Sequence, residues 1–558
     1  MLGWRRRKRR VSEIEPDEIF ADSSNAGAFD RDRLEGRIEQ PLSARSYLFL
    51  NLFLVLLFGG YLLQAGNLEV RKGQAYAAQA SNNQLNRSVI FADRGVIVDR
   101  AGRKLADNVI PESADYSVRS YGSYRGIAHV LGYSKPPAKD SSGAYFREYS
   151  IGVDGAERAY DGRLAGENGL KLTETDAIGN VVSEATLVPP EHGEKLALSI
   201  DALVSQGFYD AVAEVVRASR FEGGAGVIID VRTGEILAMV SYPEFSPDIL
   251  AKGADAAVIS RYVSDPERPF LDRATQGLYA PGSIVKPIMA VAALSTGVID
   301  PQKQILSTGS ITVPNPYDPS KPSVFKDWRA HGWVNMRDAI SVSSDVYFYE
   351  VGGGFEGQKG IGIANIEKYF RLFGFGAPTG LQGFTESTGN IPSPEWKAQA
   401  FPEDPTWRLG NTYHTAIGQY GTQVTPLQAA RAIAGVATGK LVVPTLLASS
   451  TAVSSAIPVR EADLKVAREG MRQSVTTGIA GAVNKSYVSV AAKTGTAQVG
   501  ARNEHVNSWM VGFYPYDNPR YAYAVVLEKA PAGTLYGGPA AMSRFFDWLY
   551  TNAPQYLE

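Results

Sequence analysis

The chain has 558 residues, which is too many for a single hydrophobic core and predicts two to four domains. Its composition, 44% hydrophobic and 20% charged, is that of a folded globular protein, and a net charge of −2 gives no basic field for nucleic acid. The absence of cysteine excludes a disulfide scaffold, a thiol nucleophile and a thiolate metal site.

The N-terminal region predicts a membrane anchor. A basic run, WRRRKRR at residues 4–10, opens a mixed-charge stretch without apolar periodicity, so residues 1–45 are predicted to be a disordered cytoplasmic tail. Residues 46–68, SYLFLNLFLVLLFGGYLLQAGNL, carry no charge and are long enough to span a bilayer. A signal peptide would have a shorter apolar region and no such leader. We expect one retained transmembrane helix, with the N-terminus inside and everything after it outside the cytoplasm.

Two domains are predicted after the anchor. Residues 69–192 begin with a helical linker and a hairpin-like strand pair over residues 87–108, and continue as a polar, Gly-rich, small α/β domain. A composition shift near residue 193 begins the second domain, 193–558. Strand patterns lie at both ends of that domain and helical patterns lie between them. The predicted fold class is therefore α+β, with an antiparallel sheet assembled from the two ends of the domain and flanked by helices.

Two Ser-x-x-Lys pairs compete as candidate catalytic pairs. In APGSIVKPI, Ser283 and Lys286 begin a predicted helix, which places both on one face and gives the serine the free N–H groups of the helix N-terminus. Ser323 and Lys326 follow a proline-rich stretch, and a loop is predicted there. The local structure therefore favours Ser283 as the nucleophile, with an oxyanion bound by N–H groups at the helix start.

The candidate serine needs a base, and the five histidines show no triad or nucleophile-elbow setting. A lysine can act as the base when burial and a neighbouring cation lower its pKa. Lys493 in AAKTGTAQV supplies a second cation in a strand pattern, and together with Thr494, Gly495 and Thr496 it can hold a carboxylate. Taken alone, these four residues are equally typical of an ordinary strand.

A third candidate element is ISVSSDVYFYE, residues 340–350, where the apolar and aromatic spacing predicts a helix. Ser343 could relay a proton between Lys286 and a leaving group, while Asp345 orients the lysines. Taken alone, the stretch is equally consistent with a surface helix that begins with capping serines.

In chain order, Ser-x-x-Lys, Ser-x-Asp and Lys-Thr-Gly resemble the signature of the penicillin-recognising serine acyltransferases. The stretches GVDGAERAYDGRLAGENG, GLYAPGSIVKPI and GQYGTQVTPLQAARAIAGVATG resemble class B penicillin-binding proteins, and the resemblance covers roughly residues 85–545. It implies a membrane-anchored cell-wall D,D-transpeptidase with a non-catalytic pedestal domain before a serine β-lactamase/transpeptidase-like domain. The pedestal here is short, so its head part and the docking of partners there are in question.

The resemblance also implies roles for the motif residues. Ser283 would be the acylated nucleophile, Lys286 its general base and Lys493 a further catalytic residue. Backbone N–H groups of Ser283 and Thr496 would form the oxyanion hole. Stem peptides ending in D-Ala–D-Ala are the implied substrates, β-lactams the implied inhibitors, and a SEDS-family glycan polymerase in the same membrane the implied partner. No cofactor and no nucleic acid are expected.

Departures from the family pattern leave alternatives open. Asp345 resembles the elongation type, whereas division-type enzymes usually carry Asn there, so septal synthesis is the alternative role. Some relatives bind zinc through Asp, His and Cys beside this motif; here Asp327 and His331 are present but Ser344 replaces the thiol, and no metal is expected. A β-lactam-hydrolysing enzyme, a β-lactam sensor and an idle scaffold are further alternatives. The first would need a deacylating base and the second a protease domain, and neither is visible in the sequence.

Overall fold

The computed structural model describes residues 44–74, 77, 85–112, 114–175, 181–253, 255–315 and 318–558. By internal contacts the chain divides into two units, Met1–Leu85 with Asp176–Ile178, and Asn86–Thr175 with Gly179–Glu558. The tail predicted at residues 1–45 lies almost wholly outside the described residues, as do residues 78–84 of the predicted linker.

The first unit contains one long apolar helix, Ala44–Gly66, which continues as a π-helical turn over Asn67–Arg71. None of its 23 residues is buried, and at 1.5 Å per residue it extends about 35 Å. Mean hydropathy reaches 2.0 in its most apolar window. By length and composition it is a candidate membrane span, and it lies within two residues of the predicted anchor at each end.

The second unit contains the remaining strands and helices of the described chain. Its strands in chain order are β1 Leu85–Ile90, β2 Ile97–Val98, β3 Lys104–Val109, β4 Val118–Tyr121, β5 Ser134–Lys135, β6 Ala138–Lys139, β7 Tyr145–Arg147, β8 Ile151–Gly152, β9 Gly169–Thr175, β10 Val181–Val188, β11 Leu196–Ala197, β12 Gly223–Asp230, β13 Ile236–Tyr242, β14 Ile305–Ser307, β15 Ser310–Val313, β16 Ser323–Lys326, β17 Gly332–Val334, β18 Lys440–Val442, β19 Ser454–Ala456, β20 Ala491–Val499, β21 His505–Tyr514 and β22 Tyr521–Pro531. Its α-helices are Ala128–Leu131, Gly155–Ala159, Asp161–Leu164, Ala202–Ser219, Pro247–Lys252, Ala256–Ser264, Lys286–Ser295, Met336–Val342, Asp345–Gly353, Gly362–Leu372, Pro394–Ala400, Leu409–Ala416, Pro426–Thr438, Glu461–Thr476 and Gly538–Asn552.

Strands β1 to β11 form an α+β region with two small sheets, ordered β1-β9-β10 and β11-β2-β3-β4, and two strand pairs, β5-β8 and β6-β7. Strands β2 and β3 are antiparallel neighbours, as the alternation in residues 87–108 predicts. A buried charge cluster fixes the helix Gly155–Ala159: Glu157 is fully buried and accepts hydrogen bonds from Arg94 Nε at 2.5 Å and Arg119 Nε at 2.7 Å. Two guanidinium groups thus compensate one buried carboxylate, the arrangement that a buried charge requires.

The main sheet is antiparallel and has the order β13-β12-β22-β21-β20. Its strands come from the beginning and the end of the domain, as predicted. Alternate residues of β12 belong to two different cores, because successive side chains of a strand point to opposite faces. Ile228 belongs to the same buried cluster as Phe208 and Phe545, whereas Val227 belongs to the cluster that contains Ile288 of the helix after Ser283. The sheet therefore lies between two helical layers, and the candidate nucleophile lies on one of them.

Two local predictions are wrong. Residues 340–350 do not form one helix: Met336–Val342 ends at Ser343, which has a left-handed φ of 60°, and a second helix, Asp345–Gly353, begins after Ser344. Ser323 and Lys326 lie in strand β16 rather than in a loop, because β16 pairs with β15 in a hairpin. Both residues are exposed. Three positions along a strand place side chains on opposite faces, so this pair cannot cooperate.

Candidate active site

The segment around Ser283 is a turn of 3-10 helix, Gly282–Val285, that leads directly into the helix Lys286–Ser295. Gly282 has a φ of 55°, and a Cβ there would lie 2.7 Å from the Thr496 carbonyl oxygen, so only glycine fits. Its N–H donates to the Gly418 carbonyl at 2.9 Å. Ser283 is half-buried, and its hydroxyl forms no hydrogen bond with the described residues. The turn is thus fixed while the hydroxyl stays available.

Lys286 lies one turn after Ser283 and is fully buried. Its Nζ donates to the Ser343 carbonyl at 2.8 Å, to Ser343 Oγ at 3.2 Å and to Asp345 Oδ1 at 2.6 Å. These three acceptors match the three N–H bonds of an ammonium group. Lys286 therefore joins the predicted first motif to the second.

Lys493 completes the network from strand β20. It is fully buried, and its Nζ donates to Ser343 Oγ and to the carbonyl of the next residue, Thr494, both at 2.8 Å. Burial and then the positive charge of Lys286 hold the pKa of Lys493 well below its usual range, with Asp345 opposing them. Ser343 Oγ consequently bridges two buried amines, of which one is biased toward the neutral form.

The break at Ser343 and Ser344 is stabilised by a residue that the sequence analysis considered only as a metal ligand. The Asp327 carboxylate is fully buried, and its Oδ2 accepts hydrogen bonds from Ser344 Oγ at 2.9 Å and from the backbone N–H groups of Asp345 at 2.8 Å and Val346 at 3.0 Å. A carboxylate at the free N–H groups of a helix start is a favourable arrangement. Asp327 thereby holds the helix that carries Asp345.

His331 is the other residue considered for a metal. Its Nε2 lies 3.4 Å from Asp327 Oδ1, and burial lowers the pKa of His331 against the opposing effect of Asp327. Within the part of the chain that the structure describes, no group of three or more His, Cys, Asp or Glu side chains could hold a metal ion. Asp327 is instead satisfied by hydroxyl and backbone donors.

Strand β20 lies at the edge of the main sheet and pairs with β21. The backbone at Gly495 lies against the Ser283 turn, since a Cβ there would be 2.9 Å from the Pro281 carbonyl oxygen. Thr494 is half-buried and Thr496 is exposed. An open strand edge next to the serine can accept an extended peptide as an additional strand.

The fold thus places Ser283, Lys286, Ser343, Asp345 and Lys493 in one cluster beside residues 494–496, and leaves Ser323 and Lys326 on a separate hairpin. Two further positioning contacts were not anticipated. Trp509 of β21 is buried and donates from Nε1 to the Ala280 carbonyl at 2.9 Å, just before the serine turn. Gly418 approaches from the other side, and its GQYG stretch was the only sequence signal for it.

Comparison with known proteins matches this architecture. The family described as penicillin binding protein transpeptidase domain matches residues 224–549, and the penicillin-binding protein dimerisation domain matches residues 112–198. The chain is 30% identical to the peptidoglycan D,D-transpeptidase MrdA of Haemophilus influenzae, over 80% of this chain and 71% of the relative. It is 27% identical to the peptidoglycan D,D-transpeptidase FtsI of Escherichia coli, over 79% of this chain and 70% of the relative.

Solved structures give the same result. The chain is similar to PBP2 of Pseudomonas aeruginosa, with a TM-score of 0.68, 30% identity and coverage of 83% of this chain and 97% of that one. It is also similar to PBP2 of Helicobacter pylori, solved as a complex with MreC, with a TM-score of 0.69, 25% identity and coverage of 84% and 99%. The chain therefore belongs to the family of penicillin-binding protein transpeptidases that carry a dimerisation domain before the transpeptidase domain.

Proposed function

We propose that this protein is a serine-type peptidoglycan D,D-transpeptidase of the elongation type, which cross-links stem peptides through an acyl-enzyme on Ser283. The observation that carries the proposal is the buried Lys286–Ser343–Lys493 network, which lies one helical turn from a serine held on a glycine-dependent turn. A hydroxyl with a lysine base at this spacing and an open strand edge beside it is suited to acyl transfer from a peptide.

Lys286 must be a free amine to accept a proton, and we propose that Ser343 provides the route by which it becomes one. The ammonium of Lys286 gives a proton to Ser343 Oγ, which passes its own proton to the neutral amine of Lys493. Lys286 is then a free amine and Lys493 carries the charge, so the network keeps the same total number of protons. The short contacts from Ser343 Oγ to both amines, 3.2 and 2.8 Å, support this route.

Acylation then follows from the arrangement. Lys286 takes the proton of the Ser283 hydroxyl as its Oγ attacks the carbonyl carbon of the penultimate D-alanine. We expect the backbone N–H groups of Ser283, at the helix start, and of Thr496, on the edge strand beside it, to stabilise the oxyanion, because donors held in place favour the charge that develops in the transition state. The carbonyl reforms and the C–N bond breaks. Ser343 gives its proton to the departing D-alanine amine and takes in exchange the proton that Lys286 removed from Ser283. Lys493, Thr494 and Gly495 orient the substrate along β20.

In the second half-reaction an amine, and not water, attacks the acyl-enzyme. The amine of a neighbouring stem peptide attacks the Ser283 ester and gives up one proton to Lys286. The amide cross-link forms as the C–O bond to Ser283 breaks, and the serine oxygen takes that proton back from Lys286. A β-lactam would acylate the same oxygen, but the nitrogen released by ring opening stays attached to the acyl group and does not depart. The carboxylate of the network, Asp345, is already paired with Lys286 at 2.6 Å, so we expect the penicilloyl ester to hydrolyse slowly.

The elongation role is supported by Asp345 in the second motif and by the higher identity to MrdA than to FtsI, 30% against 27%. The apolar helix Ala44–Gly66 supports single-pass anchoring, with the catalytic domain outside the cytoplasm and the N-terminus inside. A SEDS-family glycan polymerase is the partner that we propose, since the described chain contains a transpeptidase and no polymerase domain. MreC, the partner seen with the similar Helicobacter pylori protein, is a second candidate.

Penicillin labelling of the full chain tests the chemistry. Intact mass should increase by one penicilloyl group, and peptide mapping should place it on Ser283. Ser283→Ala should abolish labelling, while Ser323→Ala, which alters the other Ser-x-x-Lys pair, should label like wild type. Label on a peptide containing Ser323, or full labelling of Ser283→Ala, would overturn the mechanism.

A further inference from the structure

An aromatic pocket lies close in the fold to the serine turn and has no part in the chemistry described above. Its cavity volume is about 400 Å³, and its lining residues are Asn390, Trp396, Phe401, Tyr420, Gly421 and Gln423. The Trp396 ring lies edge-on to both aromatic neighbours, with centroids 5.7 Å from Phe401 and 6.0 Å from Tyr420. Phe401 is 48% exposed, so this aromatic surface faces solvent instead of completing a core.

The pocket is connected to the nucleophile by backbone hydrogen bonds on both sides. Before the pocket residues, the Gly418 carbonyl accepts the Gly282 N–H at 2.9 Å. After them, Val424 and Tyr279 exchange backbone hydrogen bonds at 2.9 and 3.0 Å. The segment that carries Tyr420 and Gln423 is therefore anchored at one end to Gly282 and at the other to Tyr279, both of which precede Ser283. A ligand in this pocket would contact a segment that is held directly against the serine turn.

The polar groups of the pocket are available and uncharged. Within the described residues, the Trp396 indole N–H, the Tyr420 hydroxyl and the Gln423 amide form no hydrogen bond, so each can bind a ligand. The Asn390 amide donates from Nδ2 to the Gly421 carbonyl at 2.7 Å, which leaves its oxygen as an acceptor. None of the lining residues carries a formal charge.

We propose that this pocket binds an N-acetylhexosamine ring of the glycan strand whose stem peptide reacts at Ser283. Aromatic faces pack against the C–H face of a sugar ring, and amides pair with its N-acetyl group and hydroxyls. The stem peptide is a poorer candidate, because its carboxylates and amines would lose hydration against lining residues that carry no charge. Arg408 interacts with Tyr420, but it is already paired with Asp404 at 2.6 Å. The inference rests on the proposed transpeptidase function and adds a recognition site for the sugar part of the substrate.

The test uses the full chain in a detergent without sugar head groups and tetra-N-acetylchitotetraose as the probe, followed by saturation-transfer NMR. Wild type should bind the probe. Trp396→Leu and Gln423→Ala should weaken binding by about five- to tenfold, the loss of one stacking or polar contact. Trp333→Ala is the matched control, because Trp333 is 63% exposed on a separate strand, β17, and it should bind like wild type.

Penicillin labelling at Ser283 runs in parallel and separates the two hypotheses. Penicillin has no sugar, so both pocket variants should be acylated within about twofold of the wild-type rate. Failure of wild type to bind the oligosaccharide while Ser283 labels normally would refute the sugar site and leave the transpeptidase assignment intact. Equal binding by wild type and both pocket variants would refute it as well. Loss of labelling at Ser283 in wild type would instead refute the proposed function.

Discussion

The Lys286 ammonium lies 2.6 Å from the Asp345 carboxylate, while a second buried amine, Lys493, lies 2.8 Å from the same Ser343 hydroxyl that Lys286 contacts at 3.2 Å. One carboxylate thus faces two amines in a buried site. The excess of positive charge is the reason that the pKa of Lys493 is low, after burial itself.

Replacing that carboxylate should shift the pH dependence of acylation. Asp345 raises the pKa of Lys493, so Asp345→Asn should lower it further and make the neutral amine available at lower pH. The acidic limb of the acylation rate against pH should therefore move to lower pH, measured as second-order rates with penicillin from pH 4 to 9. Asp318→Asn, in the loop between β15 and β16, is the control. An unchanged limb, or one that moves to higher pH, would contradict the coupling.

Removing the base itself should slow the reaction. Lys286→Ala should reduce the rate of penicillin acylation by about 10²- to 10⁴-fold, the usual contribution of a positioned general base. Lys326→Ala is the matched control, since it alters the lysine of the exposed Ser-x-x-Lys pair, and it should react at the wild-type rate. If penicillin acylated the Lys286→Ala protein at the wild-type rate, the general base would be another residue.

An alanine at position 282 should lower the rate of acylation without preventing folding. Gly282→Ala places a Cβ 2.7 Å from the Thr496 carbonyl oxygen at a φ of 55°, so the serine turn must move away from β20. We expect acylation to fall by at least about tenfold for a one-ångström-scale displacement. Thermal unfolding should remain a single cooperative transition, because the added methyl group disturbs only the contact between the serine turn and one edge strand. Gly297→Ala is the control, since its φ of 69° carries the same backbone strain but a Cβ there meets no atom within 4 Å. Wild-type acylation by Gly282→Ala would show that the turn is not held by this contact.

Asp327 should be required for stability without any metal. Asp327→Ala leaves the N–H groups of Asp345 and Val346 without their acceptor, which costs about 1–3 kcal/mol for each group that stays dry. We expect a lower melting temperature together with slower acylation, because the helix bearing Asp345 loses its support. Chelator-washed protein should contain no stoichiometric zinc by elemental analysis and should melt like untreated protein. Stoichiometric zinc, or destabilisation by the chelator, would overturn the metal-free account of this cluster.

Glu244 should give the protein a pH-dependent stability. Burial raises the pKa of Glu244 to about 7, although the N–H groups of Gly126 and Ala128 donate to its carboxylate at 2.9 and 3.2 Å. A folded-state pKa above the unfolded value means that the folded chain holds the extra proton. Its stabilising contribution is therefore complete below about pH 4 and is lost as the pH rises to about 7.

The measurement for Glu244 is the free energy of unfolding between pH 4 and 8. Glu244→Gln should flatten the decline across that interval relative to wild type. Glu222→Gln, at an exposed carboxylate, is the control and should retain the wild-type slope. Identical slopes in wild type and Glu244→Gln would show that the buried carboxyl is ionised throughout.

The parts of the site that could be predicted depend on local sequence. Ser283 and Lys286 share one helical turn and Lys493 lies in a strand pattern, so local spacing made them candidates, and the order of the three motifs along the chain implied their roles by family resemblance. The break at Ser343 could not be predicted, because its left-handed backbone is stabilised by Asp327, which reaches the helix start through the tertiary fold. Strand β16 was missed because prolines precede it and its pairing with β15 is a nonlocal feature.

The aromatic pocket was also missed, for a different reason. Its lining residues are spread from Asn390 to Gln423 over a helix and several loops, and loops impose no period on the sequence. The fold class and the assembly of the sheet from both ends of the domain could be predicted, because strand patterns lie at those two ends. The order of the strands within the sheet was not predicted.

That two-ended sheet has a consequence for biogenesis. Ser343 and Lys493 are 150 residues apart in the chain, and strand β12 pairs with β22, which lies close to the C-terminus. Such nonlocal pairing makes folding slow, and the sheet cannot be completed until its last strand has been synthesised. A nascent or truncated chain that ends before β20 carries the serine and its first lysine but cannot assemble the proton relay. Under the proposed mechanism, acyl transfer is therefore expected only from molecules that have been synthesised at least as far as these strands.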